Sequence, residues 1–90
     1  MSVSIRFPAL FADRIDGVTR VEVSATTVKD ALQALDVRFP ALRTLLFRAN
    51  GELNPVIVIF LNDKRLPHNQ LHCSIQAGDE IQIVPAIEGG

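Results

Sequence analysis

Residues 56–61, "VIVIFL", form an unbroken apolar run rich in β-branched side chains. The run is far shorter than the ~20 residues a membrane-spanning helix needs. β-Branched residues favour the pleated backbone, so the segment reads as a strand with both faces at least partly covered. Side chains alternate along a strand, which sends Ile57, Ile59 and Leu61 one way and Val56, Val58 and Phe60 the other. With 90 residues in all, the chain has material for one small domain. A hydrophobic content of 48% supports a packed core and argues against disorder.

The neighbouring segments supply the cover. Residues 2–7 alternate, with Val3, Ile5 and Phe7 on one face and Ser2, Ser4 and Arg6 on the other. Pro8 limits this strand, and residues 13–17, "DRIDG", have turn chemistry. Residues 19–24 alternate again through Val21 and Val23. Strand, short loop and strand predict an antiparallel hairpin. In "TTVKDALQALDVRFP", Val28, Ala31, Leu32, Leu35 and Phe39 share one helical face. Thr27 is the expected N-cap, with Asp30 in the capping-box position, and Pro40 ends the helix. A second short helical piece follows, with Leu42, Leu45 and Leu46 on its apolar side. Asn50-Gly51, "NDKR" and "AGDE" are turns, residues 66–75 are irregular and polar, and residues 80–84 form a last strand. A weak strand before that last one completes the order strand, strand, helix, strand, weak strand, strand. One amphipathic helix across a mixed sheet of four or five strands is the economical packing. The predicted class is α+β, a β-grasp or ubiquitin-like fold with one main helix and a short second one, over residues 1–85.

A single helix covers one face of the sheet, so apolar side chains must remain on the other. Ser4, Arg6, Glu80 and Gln82 mark that outward face, and Val84 shares it. An open patch of Val58, Phe60 and Val84 is therefore expected, either met by a partner protein or covered by residues 66–75.

Charge and cysteine content narrow the function. A net charge of −1, with basic residues scattered, argues against nucleic acid as a partner. The lone Cys73 excludes an internal disulfide and fits a reducing compartment. The N-terminal segment lacks the basic start and apolar stretch of a signal peptide, so a cytoplasmic protein without membrane association is expected. Inside the domain the catalytic inventory is thin. No glycine-rich phosphate loop and no CxxC is present. His68 and His72 have helical metal-ligand spacing, but Pro67 and Asn69 argue for a polar loop. Cys73 lacks a basic cluster that would activate it. Asp13 and Asp16 in the segment ending at Gly17, and Asp79 after Gly78, read as turn residues.

The remaining candidate is the C-terminal tail, "AIEGG", residues 86–90. Beyond Pro85 it is expected to project freely, and five extended residues reach about 16 Å. Glycine adopts backbone angles barred to other residues and passes through narrow channels. Gly89 would allow threading into another enzyme's site, and the α-carboxylate of Gly90 would be the reactive group.

The segments "VSIRFPALF", "VKDALQALDVRFPAL", "IVIFLND" and "AGDEIQIVPAIEGG" resemble the MoaD/ThiS family of sulfur carrier proteins across nearly the whole chain. The region "LNPVIVIFLND" is most similar to the branch holding the cysteine-biosynthesis carrier and molybdopterin-synthase small-subunit-like proteins. The resemblance implies a cosubstrate, not an enzyme, with no cofactor of its own. A ubiquitin-activating-type adenylyltransferase and sulfurtransferase would use ATP and magnesium to adenylate Gly90. A sulfur donor would then displace AMP and leave a thiocarboxylate, whose sulfur passes to an acceptor such as a molybdopterin synthase large subunit or a cysteine synthase-like enzyme. The resemblance also places the partner surface on the open sheet face, at Val58, Phe60 and Val84, with Ile87 of the tail. Two departures stand out: Val58 occupies a position that is often polar in this branch, and "PHNQLHCS" replaces a glycine-containing stretch. Two other functions use the same fold: a ubiquitin-like modifier joined to lysines through Gly90, and a non-reactive β-grasp binding module. Molybdopterin, cysteine, thiamine and other sulfur metabolites are all compatible pathways.

Overall fold

The computed structural model describes residues 2–86. Strand β1 (Ser2–Arg6) buries Val3 and Ile5, and strand β2 (Arg20–Ser24) buries Val21 and Val23. They pair antiparallel with Ile5 opposite Val21, as the alternation predicts. Their connection is more than a short loop. Pro8 cannot prolong β1 and instead precedes a helical turn, α1 (Ala9–Ala12), whose Phe11 and Ala12 are buried. Asp16 and Gly17 then reverse the chain with φ of 59° and 81°.

The main helix α2 (Val28–Arg38) buries Val28, Ala31, Leu32 and Leu35 against the sheet. Phe39, expected at the end of that face, stands at the C-cap and packs half-buried on the core. A helix start leaves four backbone N–H groups without intrahelical acceptors. Here Thr27 Oγ1 accepts from Asp30 N. Val28 N donates to the Cys73 carbonyl and Lys29 N to the Leu71 carbonyl. Ile75 N adds a bond to Thr26 O, so residues 71–75 are stapled to the helix start. Leu42 and Leu46 are buried by a 3₁₀ turn (Pro40–Leu42) and the short helix α3 (Arg43–Leu46).

Strands β3 (Ile57–Leu61), β4 (Lys64–Leu66) and β5 (Glu80–Pro85) complete one five-stranded sheet of order β2-β1-β5-β3-β4. β1 and β5 run parallel at its centre and the other pairs are antiparallel, which makes the sheet mixed. This is the expected β-grasp arrangement. The turn at "NDKR" is tighter than its composition suggests. Only Asn62 and Asp63 turn, both at positive φ (51° and 70°), the geometry of a two-residue hairpin whose twist matches its strands. Lys64 and Arg65 already pair with Leu61 and Phe60. As an exposed edge strand, β4 needs no apolar alternation, and its sequence shows none. Among the described residues no polar or charged residue is buried, so the core is held by apolar packing alone.

Candidate functional site: the open sheet face and the base of the tail

Helix α2 covers the face of β3 that carries Ile57 and Ile59, which are 2% and 0% exposed. The opposite face carries Val58 and Phe60, both half-buried. Val84 on β5 stands directly opposite Val58 and is also half-buried. Phe60 lies between Gln82 of β5 and Arg65 of β4. Val56, 51% exposed, prolongs the apolar strip. The three residues expected on the open face are thus brought together there. Of residues 66–75, Leu66, Pro67 and His68 border a hollow beside Val58, while residues 71–75 are stapled to the start of α2.

The rest of this face is polar. Ser4 and Arg6 of β1 lie opposite Glu80 and Gln82. Arg6 Nη1 is 3.5 Å and Arg20 Nη2 4.0 Å from the Glu80 carboxylate. All three side chains are solvated, so these pairs orient the surface more than they stabilise it. The apolar strip therefore sits at the tail end of the sheet, bordered by Arg65 on one side and the Arg6–Glu80–Arg20 group further along.

The launching point of the tail follows from hydrogen-bond parity. In an antiparallel ladder, pairs alternate between those that exchange hydrogen bonds and those that do not. Ala86 N donates to the Val56 carbonyl, which makes Val56 and Ala86 a bonded pair. The Ile57–Pro85 pair is then of the non-bonded kind. Pro85 would direct its missing N–H toward β1, whose last partner on β5 is Gln82. A proline is tolerated at such a position. Pro85 was expected to close the strand and free Ala86. Instead the pairing runs through Pro85 to Ala86, because the N–H lost at 85 faces no acceptor strand. Ile87, Gly89 and Gly90, named from the sequence as partner-binding, threading and reactive positions, lie outside the described residues.

The histidine and cysteine cluster has structural work. His68 Nε2–H donates to the Ile57 carbonyl at 2.6 Å, filling the edge of β3 where Pro67 has ended β4. The carbonyls of Leu71 and Cys73 cap α2. Among the described residues no three of His, Cys, Asp and Glu gather as a metal-binding group. Asp79 braces a turn: Oδ2 accepts from Gln76 N at 2.8 Å and Oδ1 from Asn62 Nδ2 at 3.0 Å. Those bonds hold its carboxyl below the ordinary value of 3.8, the Gln76 amide being the larger cause. No helix among the described residues is long and apolar enough to cross a membrane.

Comparison with known proteins places this surface in context. Residues 5–90 match the model of the ThiS family. Small archaeal modifier protein 1 of Haloferax volcanii is 35% identical over 86 residues, covering 90% of this chain and 95% of the relative. A crystal structure of that protein covers 100% of both chains with a TM-score of 0.87 and 32% identity. A protein of Archaeoglobus fulgidus named as a candidate sulfur carrier is 28% identical over 91 residues, covering 100% of both chains. In a complex of subunits 1 and 2 of molybdopterin-converting factor from Helicobacter pylori, one chain matches at 25% identity and a TM-score of 0.66, with 100% of both chains covered.

Proposed function

The chain belongs to the ThiS family, and from that premise we propose that it carries sulfur on the α-carboxylate of Gly90. It acts as a cosubstrate of partner enzymes. An activating enzyme spends ATP with magnesium to adenylate Gly90, since a free carboxylate is a poor electrophile and AMP a good leaving group. A sulfur nucleophile displaces AMP, and the resulting thiocarboxylate delivers its sulfur to an acceptor enzyme. Val58, Phe60 and Val84, with Ile87, form the surface those partners grip, and Gly89 permits threading.

The observation that carries this proposal is the position of β5. It is the central strand, paired to β1 and β3, and its end holds Ala86 through the Val56 carbonyl. A terminal carboxylate launched from the best-anchored strand, beside an apolar strip, suits insertion into a second protein better than chemistry within this one. The Helicobacter pylori relative, which is found in a complex with another subunit, supports the partner requirement. The test is intact mass after incubation with an activating enzyme, ATP and sulfide. Exchange of oxygen for sulfur adds about 16 Da, and the gain disappears when Gly90 is deleted. An unchanged mass with an enzyme that is competent on another carrier would overturn the proposal.

A second outcome has its own support. The relative named as a modifier protein is 35% identical. Attack of a lysine amine on the same activated Gly90 would form an amide and give higher-mass conjugates in place of the sulfur adduct. The same spectra separate the two outcomes.

A further inference from the structure

A second concave surface lies on the helix side of the sheet, away from Val58, Phe60 and Val84. It is a groove of about 540 Å³ between α2, the loop of residues 47–55, and residues 68–72. Its accessible apolar lining is Phe47, Pro55 and Leu71, over a base closed by the buried Leu32 and Leu53. Lys29, Arg48 and His72 stand on its rim, each exposed and each from a different wall. His68 also borders it, but its Nε2 proton is committed to the Ile57 carbonyl. The one carboxylate on the rim, Glu52, accepts a 2.8 Å bond from Asn50 Nδ2. Neither Lys29 nor Arg48 has a carboxylate within ion-pair distance among the described residues.

We propose that this groove is a docking site for an acidic peptide segment with a bulky apolar anchor, presented by a partner protein. The volume suits one or two large side chains and not a folded domain. Apolar floor and cationic rim together define the chemistry of the occupant. An apolar side chain displaces water from Phe47, Pro55 and Leu71, and flanking carboxylates meet Lys29 and Arg48. A small free anion fits less well. The cations are solvent-exposed and set on separate walls, so a single charge would be screened and would reach only one of them. A segment bearing several carboxylates around one anchor engages both. The groove does not depend on activation of Gly90, and its failure would leave that proposal standing. Its lining includes none of Val58, Phe60 and Val84, so a peptide here leaves those three side chains free for a second partner.

The test uses the full chain and a fluorescein-labelled synthetic peptide, acetyl-Asp-Glu-Asp-Leu-Phe-Asp-Glu-amide, read by fluorescence anisotropy. Saturable binding is expected. The double variant Lys29→Glu with Arg48→Glu should weaken it about tenfold or more, with circular dichroism unchanged because both side chains are exposed. Glu52→Gln should tighten it. Amide NMR shifts should move at Leu32, Arg48 and Leu71 and stay still at Val58 and Val84. The proposal is overturned by any of three results: no saturable binding, equal affinity for a control peptide with Ser replacing Leu and Phe, or shifts confined to Arg6, Arg20 and Arg65 of the open face.

Discussion

At the scale of single residues, Asp79 shows how a half-buried surface side chain acquires a structural role. Its carboxylate joins two segments: its own turn, through the Gln76 amide, and Asn62 in the β3–β4 hairpin. Asn62 in turn accepts from Glu80 N at 2.9 Å and donates its backbone N–H to the Glu80 carbonyl. Hydrogen bonds to the charged form hold the folded-state carboxyl below its ordinary value. The sign follows by linkage. A depressed folded value contributes stability above the unfolded value, and that contribution is lost as pH falls through the folded one. The window therefore lies at and below pH 3.8. Asp79→Asn should be less stable than the parent near neutrality, and the gap should narrow as pH drops through this window. Urea titrations of both proteins at several acidic pH values would check it. A constant gap would show that the carboxylate charge contributes nothing. Because the half-buried Asp79 carboxyl keeps contact with solvent, the effect is screened and small.

At the scale of elements, the β3–β4 hairpin separates two kinds of residue preference. Asn62 and Asp63 both adopt positive φ, which glycine accepts without steric cost and other residues do not. Asp63 has no hydrogen bond among those of the described side chains, whereas Asn62 bonds to Asp79 and Glu80. Asp63→Gly should therefore be neutral or stabilise by up to about 1 kcal/mol. Asn62→Ala loses both bonds and keeps the strained φ, and should cost about 1–2 kcal/mol. Thermal denaturation of the two variants would test the contrast, which fails if they shift the midpoint equally. Strand β4 and turn α1 were the elements least legible in the sequence. Lys64 and Arg65 carry no apolar alternation because an edge strand with an exposed outer face demands none. α1 has four residues, too few to display a helical period, and only Pro8 hints at it.

At the scale of the whole molecule, one helix against one sheet leaves two different surfaces. The groove beside α2 is lined by none of Val58, Phe60 and Val84, so it is distinct from the tail-side strip on the open face. Val58→Asp should test the first without harming the second. Val58 is half-buried on the face that α2 does not cover, so the core of Ile57, Ile59, Ile81 and Ile83 stays intact. The variant should fold, bind the acidic peptide as the parent does, and lose most of its rate of sulfur loading. A mass time course with limiting activating enzyme would show this. Unimpaired loading would remove the strip from the partner surface. Leu35→Ala is the matching core control. Leu35 is fully buried, and truncation should cost about 2–5 kcal/mol in denaturant titrations while touching neither surface.

Elements whose burial repeats with a regular period can be read from residue order alone. Val3 and Ile5, Val21 and Val23, Ile57 and Ile59, Ile81 and Ile83 alternate because a half-covered sheet requires it. Val28, Ala31, Leu32 and Leu35 recur at helical spacing because α2 has one face inward. From those the β-grasp order and the open strip of Val58, Phe60 and Val84 were both legible. Features carried by non-local, non-periodic contacts emerge only once the chain is folded. The Leu71 and Cys73 carbonyls cap a helix more than forty positions earlier in the chain. His68 completes the edge of β3, Pro85 stays in the ladder because β1 has already ended, and the groove assembles Lys29, Arg48 and His72 from three separate segments. Hydrogen-bond partners and cavities depend on which distant backbone arrives alongside, and no local pattern of residue types records that.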